Sequence, residues 1–479
     1  GGASKEIKRL GSSCSEISEF TNSNEILDGR VKTLHPKIYA GILSKRNNKK
    51  HKKELNRNAY EEIDLVIVNF YPFEETLKRT RNHQKIIENI DIGGPTLVRA
   101  AAKNYTDTTI VTSSHQYKEL VNDLEKNNGS TSLKLRKKLS QEAFNLTAYY
   151  DSVISDYLCA DNKTSFPQKK TIHGNLVEVL RYGENPHQQS AIYSKNKNLD
   201  IFQISGKKLS YNNYNDIFSA LNMSQTLPKN IGTVIVKHAN PCGVSVNKNK
   251  IDSYKEALGC DPISAFGGVV SCNFKVSKKV AQELSKLFLE VIIGIGFDKE
   301  SLKILRKKKN LRLIDASKLN RKNLNNIISN FETLLIQSTD DKYFRKDNFK
   351  VVSKIKPTKK IFNDLLFAFN VCRNVKSNAI VLTKNSSTVG IGSGQPSRLD
   401  SCKIAIEKMK KFQKINENDI ILGASDAFFP FVDGIETLVQ NGVHAIIQPS
   451  GSIRDKEIIK FANELGIILV FSKTRHFKH

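Results

Sequence analysis

No apolar run in the 479-residue chain reaches membrane-spanning length, and no leader-like segment opens it. Its seven cysteines, at 14, 159, 242, 260, 272, 372 and 402, form no CxxC pair and no regular spacing. That argues against a disulfide frame or a cysteine metal cage, and for free thiols in a reducing compartment. Acidic side chains are short too, with 48 Asp and Glu against 75 Lys and Arg, a net charge of +27. Such an excess raises the question of nucleic-acid binding. Yet the lysines are spread over every segment, as in Asn47-Asn48-Lys49-Lys50 and Lys307-Lys308-Lys309-Asn310, with no interleaved aromatics to stack on bases. The charge reads as compositional drift on solvated faces, a surface that attracts phosphorylated small molecules. The expectation is a soluble cytoplasmic protein with neither a membrane nor a nucleic-acid partner.

The chain is long enough for two or three domains with substantial cores. Its first third alternates helix and strand signals. Asp64 to Tyr71 reads as a strand ended by Pro72, Thr108 to Val111 as a second, and Leu133 to Leu158 as a long helix. Asp91-Ile92-Gly93-Gly94-Pro95 reads as a turn opening an Ala-rich helix. Together these predict one α/β domain ending near residue 160. Within it, Arg30, Lys32 and Thr33 fall close together, donors of the kind that hold a phosphate. A strand with alternating exposed basic residues is the plainer alternative. The opening Gly1-Gly2-Ala3-Ser4 reads as a glycine turn at a helix start whose amides suit phosphate, with the expectation that a preceding strand is absent.

Further on, Gly232 to Val236 is an apolar β-branched run followed by Lys237-His238-Ala239-Asn240-Pro241-Cys242-Gly243. A chain with this pattern leaves a sheet and turns at its edge, where α/β proteins place chemistry. Lys237 offers a cation, and His238 a group that exchanges a proton near neutral pH. A solvated strand-end turn is an equal reading. The segment has the look of a zinc deaminase signature, but Asn240 stands where the general acid/base Glu belongs and Ser245 where the second Cys belongs. A tetrahedral site cannot be completed, so no zinc is expected.

GRVKTLHP (29–36), NFYPF (69–73) and IDIGGPTLVRAAAKN (90–104) resemble the IMP cyclohydrolase half of the bifunctional purine biosynthesis family. LRYGENPHQ (180–188), KLSYNNYND (208–216), VKHANPCG (236–243), DPISAFGG (261–268), KSNAIVL (376–382), VGIGSGQPSR (389–398), SDAFFPFVDGI (425–435) and RHFKH (475–479) resemble its AICAR transformylase half. The motifs run in family order along nearly the whole chain. The resemblance implies an α/β protein: a methylglyoxal-synthase-like domain over 1–163, then a pair of cytidine-deaminase-like subdomains over 164–479. The implied activity is formyl transfer from 10-formyltetrahydrofolate to AICAR, then dehydrative ring closure of FAICAR to IMP.

The resemblance assigns roles by position. Lys32, Tyr71, Asp91 and Lys103 form the ring-closing set, with Arg30 and Thr33 at the nucleotide. His238 is the base for the AICAR amine, Lys237 stabilises the leaving folate nitrogen and the oxyanion, and Asn378 donates to the formyl oxygen. Arg181, Tyr182 and His187 hold the nucleotide, with Arg398 and Arg475 as further anion contacts and Asn213 and Asp261 lining the pocket. Phe428, Asp433 and Pro449 build the folate side, although one of Phe428 and Phe429 reads as core. A homodimer is implied, and in some relatives a monovalent cation near the second domain. Ala3, and Thr21 to Glu25, depart from the family pattern. With the expected loss of a strand, they give an alternative: a transformylase alone, its cyclohydrolase domain impaired. A degenerate scaffold is disfavoured because Lys237 and His238 are both present.

Overall fold

In a computed structural model, the structure describes residues 2–163, 165–196, 198–320, 325–342, 344 and 346–479. The chain forms two compact units, Gly1–Asn175 and Leu176–His479. In the first unit the parallel strands Leu65–Ile67 and Thr109–Val111 pack among helices, chiefly Pro36–Leu43, Gly93–Lys103 and Leu133–Asp161. The long helix runs because its interior holds no Gly or Pro and Ser132 caps its start, accepting the Leu135 N–H at 3.2 Å. Leu135, Leu139 and Ala143 recur on one face and join Ile42, Val98, Ala101 and Ile110 in the core. The strand expected over 64–71 is shorter than its apolar run. Residues 30–33 are not a strand: Ile26 and Val31 make an isolated bridge around a tight turn.

The second unit is built on a twelve-stranded sheet whose strand order reveals a duplication. Each half runs edge strand, helix, hairpin, helix, strand, helix, strand, helix, strand. The first half opens at Phe202–Ser205 and closes at Arg312–Asp315; the second opens at Phe349–Val351 and closes at Ile468–Ser472. In both, the hairpin's first strand pairs antiparallel with the next strand, two parallel pairings follow, and the edge strand closes antiparallel. The halves meet antiparallel at Ser245 and Ser387. The repetition reaches single residues. A Cβ on Gly243, fourth in its strand, would lie 1.8 Å from the Ala257 carbonyl oxygen; one on Gly390, also fourth, would lie 2.1 Å from that of Ala405. Ala257 and Ala405 are each eighth in the following helix. One shared core lies under both halves and a separate core over each.

The hairpin Gly232–Lys237 and Asn240–Val246 corrects the reading of the VKHANPCG stretch. The chain does not leave the sheet: it turns at His238-Ala239 and returns as the neighbouring strand. Pro241 is tolerated there because the register slips between Ile235 and Val236, a bulge that spares a ladder bond.

Candidate active sites on the two units

Antiparallel pairing at the junction gathers elements of both halves at one edge of the long sheet. The turn Lys237-His238-Ala239-Asn240 arrives from the first half, and the segment before Ile380 and the strand ends at Ser425, Pro449 and Ser472 from the second. A direct bond ties them, the Lys376 N–H donating to Asn240 Oδ1 at 3.1 Å. Lys237 Nζ donates to the Phe266 carbonyl at 2.8 Å, while His238 is exposed at the tip. His238 and Ala239 both have left-handed backbones, φ 53° and 58°. The carboxylate of Asp216 accepts the Ala239 N–H at 2.7 Å. Burial pushes the Asp216 carboxyl up, against the backbone N–H groups of Ala239 and His238 and the nearby His238 and Lys237, which draw it down.

Asn378 is gripped on every side. Its Nδ2 donates to the Gln395 and Pro396 carbonyls at 2.9 Å each, and Arg398 Nη2 donates to its Oδ1 at 2.7 Å. Donation to a formyl oxygen therefore requires the amide to turn from those carbonyls. Arg398 is not the open anion contact expected of it. Its guanidinium is buried, bonded to Ser425 at 2.8 Å and ion-paired with Asp426, which has no exposed surface.

Asn213 is likewise spent on structure: with Ser210 it forms a capping box at the start of helix Tyr211–Ser224. Asp261 caps residues 262–265 and bonds Lys408 at 2.8 Å. Burial pulls its pKa up, but Lys408 and Ser264 outweigh it and leave the carboxyl low. Arg181 lies over the Tyr182 ring, and the exposed His187 follows in a loop held to Asn212 through the Glu184 carbonyl. Phe428 is half-buried and Phe429 is core; Pro449 is buried, and Asp433 is exposed at a helix start. Arg475 is exposed over Phe477.

In the first unit, the Gly-Gly turn gathers a second group. Asp91 Oδ1 accepts the Gly94 N–H at 2.8 Å, and its other oxygen faces the Tyr71 N–H at 3.4 Å. Thr33 lies against the turn, its hydroxyl 2.8 Å from where a Gly93 Cβ would stand. Arg30 pairs with Glu88 and Lys32 with Glu25, the latter at 2.6 Å. The Glu25 bond raises the Lys32 pKa, with smaller support from Glu16 and Tyr71. Lys103 ends the helix Gly93–Lys103, 11 residues long, so its backbone lies about 15 Å along the axis from the turn.

Two family descriptions match the chain: an MGS-like domain over residues 1–96 and the AICARFT/IMPCHase bienzyme over 101–408. "Bifunctional purine biosynthesis protein PurH" of Bradyrhizobium diazoefficiens is 42% identical over 494 residues, covering 100% of this chain and 93% of that protein. Its namesake from Persephonella marina is 43% identical over 490 residues, covering 100% and 94%. The chain belongs to the bifunctional purine biosynthesis family. The candidate site of the second unit also draws on residues that sequence reasoning passed over: Asp216, Lys408, Asp426 and Lys478. Asp216 ended a quoted motif and Asp426 lay inside one, but neither carries a signal of its own. Lys478 also lay inside one, and in the fold its N–H and carbonyl straddle Ser377 beside Asn378.

Proposed function

We propose that the sheet edge bearing Lys237, His238 and Asn378 transfers the formyl group of 10-formyltetrahydrofolate to AICAR, and that the corner of Lys32, Thr33, Tyr71 and Asp91 closes FAICAR to IMP. Membership of the bifunctional family makes the chain an enzyme of both steps. The single observation that carries the placement is the convergence of the Lys237-His238 turn and the Asn378 segment through the Lys376–Asn240 bond. His238 takes the proton of the AICAR amine as its nitrogen attacks the formyl carbon. The bond from that carbon to the folate nitrogen breaks, and that nitrogen leaves with the proton that the His238 imidazolium passes on. Lys237 stabilises the oxyanion, and a base so placed contributes roughly 10²–10⁴-fold.

Ring closure needs a nitrogen to attack the formamide carbonyl and water to leave. Asp91 and Tyr71 flank that carbonyl, and Lys32 supplies positive charge. Lys103 acts, on this reading, through the helix it terminates rather than by contact. We assign ring closure to residues 1–163 and formyl transfer to 164–479, the latter as paired cytidine-deaminase-like subdomains suggested by the duplicated sheet. Arg181, Tyr182, His187 and Arg475 face the nucleotide, and Phe428, Asp433 and Pro449 the folate. Zinc has no part in this reading, because Asn240 and Ser245 stand where a deaminase-type site needs its Glu and its second Cys. A monovalent cation fits near the oxygens of Ser377 and Asp426, although Arg398 already neutralises Asp426. The chain acts as a cytoplasmic homodimer. The hairpin Asn326–Asn330 and Thr333–Gln337 supports this, with Ile327, Ile328, Leu334 and Leu335 exposed. The transformylase-only alternative finds no support, since both relatives match over the full chain.

The test follows FAICAR and IMP separately with AICAR and 10-formyltetrahydrofolate supplied. His238→Ala abolishes formyl transfer and leaves FAICAR cyclisation unchanged. Formyl transfer retained in that variant removes His238 from the mechanism.

A further inference from the structure

The turn carrying His238 is one that its own residues disfavour. A tight hairpin turn with left-handed backbone at both central positions suits Asn-Gly, and here those positions hold His238 and Ala239. A non-glycine residue there costs about 1–2 kcal/mol, most directly for Ala239, whose side chain offers no local bond. Something outside the hairpin must hold it. Asp216, half-way along helix Tyr211–Ser224, reaches the turn from beneath and accepts the Ala239 N–H at 2.7 Å, with the His238 N–H also facing its carboxylate.

The other half of the sheet repeats this arrangement. The hairpin of Ile380–Lys384 and Ser387–Gly392 turns at Asn385-Ser386, again with both φ positive, 51° and 58°. Asp364 accepts the Ser386 hydroxyl there. Asp216 is the sixth residue of its helix and Asp364 the sixth of Lys359–Cys372. Two repeats thus place the same acid at the same helix position under the same strained turn. In the second repeat the turn lies at the opposite edge of the sheet, with Lys384 bonded to Asp419 and Asn385 to Lys360.

We infer that Asp216 is a positioning residue for formyl transfer: its carboxylate oxygen, by accepting the turn's N–H groups, holds His238 at the angle from which it serves as base. This rests on the role proposed for His238. Asp364 is the corresponding acid, bonded to its turn through the Ser386 hydroxyl and without a catalytic residue above it, which supplies a natural control.

The experiment measures kcat and KM for formyl transfer, FAICAR cyclisation and unfolding in four variants. Asp216→Ala loses at least a hundredfold in kcat with KM for AICAR changed less than threefold, and cyclisation is unaffected. Asp216→Asn, which keeps the acceptor oxygen, retains at least a third of kcat. Asp364→Ala lowers the unfolding midpoint as Asp216→Ala does but keeps kcat. Ala239→Gly in the Asp216→Ala background restores at least tenfold, because glycine adopts the turn unaided. Full kcat in Asp216→Ala, while His238→Ala is dead, overturns the inference and leaves the catalytic assignment standing; an active His238→Ala sinks that assignment instead. Equal damage from Asp216→Asn and Asp216→Ala shows that charge, not the acceptor, matters and also overturns it. If Asp216→Ala does not fold, a normal kcat in Asp216→Asn supports the brace and a hundredfold loss refutes it.

Discussion

Replacing Arg398 by Met distinguishes an anion hook from a buried strut. The guanidinium is 8% exposed and the Asp426 carboxylate 0%. Removing the cation strands a buried charge and strips Asn378 Oδ1 and Ser425 Oγ of a donor. Breaking one side of a buried pair costs about 3–5 kcal/mol, which for a unit of this size lowers the unfolding midpoint by roughly 5–8 °C. Formyl transfer falls with it, because Asn378 loses the bond that orients its amide. Replacing both partners, Arg398→Met with Asp426→Asn, removes the stranded charge. Most of the stability returns and the activity does not. Thermal unfolding and the two activities, followed separately, decide the matter. A single variant with an unchanged midpoint and a raised KM for AICAR makes Arg398 a nucleotide contact and refutes the strut. So does a double variant no more stable than the single one.

Gly243→Ala drives a Cβ to 1.8 Å from a helix backbone oxygen, at a cost of about 3 kcal/mol or more. Gly390→Ala behaves alike, and urea unfolding in which either is neutral disproves the close packing. Asp261 has its pKa depressed against burial by Lys408 and Ser264. A depressed carboxylate stabilises fully above its unfolded value, about 3.9, and the contribution is lost as pH falls through the lower folded value. Lys408→Met therefore flattens the acid side of the stability profile below about pH 4, and an unchanged slope there counts against the pair. Lys32→Met blocks IMP formation while FAICAR accumulates; IMP made at the normal rate excludes Lys32 from ring closure.

The chemistry was more legible in the sequence than the architecture that positions it. VKHANPCG read as a strand edge because a β-branched run meets polar residues and Pro. Nothing local says that the chain returns as the next strand, since that depends on a bulge absorbing Pro241. Arg398 stood as an anion contact by resemblance alone; only the fold reveals Asp426 behind it, 28 residues on. Asn213 shows the same limit, its amide serving a helix cap rather than facing a pocket. Lys103 fell in a motif with Asp91, but helical rise carries the two apart. The duplication is invisible as sequence repetition because the halves share glycine, alanine and aspartate positions rather than motifs.

That duplication explains why one edge brings Lys237, His238 and Asn378 together. With the halves antiparallel at Ser245 and Ser387, each sheet edge combines a turn from one half with strand ends from the other. At one edge the turn holds Lys237 and His238, and the opposing segment brings Asn378. At the other, Lys384 is bonded to Asp419, and Asn385 to Lys360. Opposite them, Asn273 donates to the Ser224 and Pro228 carbonyls and accepts the Gly232 N–H. Those polar groups answer one another, so that edge presents bonded pairs where the first presents an exposed imidazole. The same scaffold therefore yields one edge with an open imidazole and one edge of bonded pairs, and the difference lies in a few residues on two matching turns.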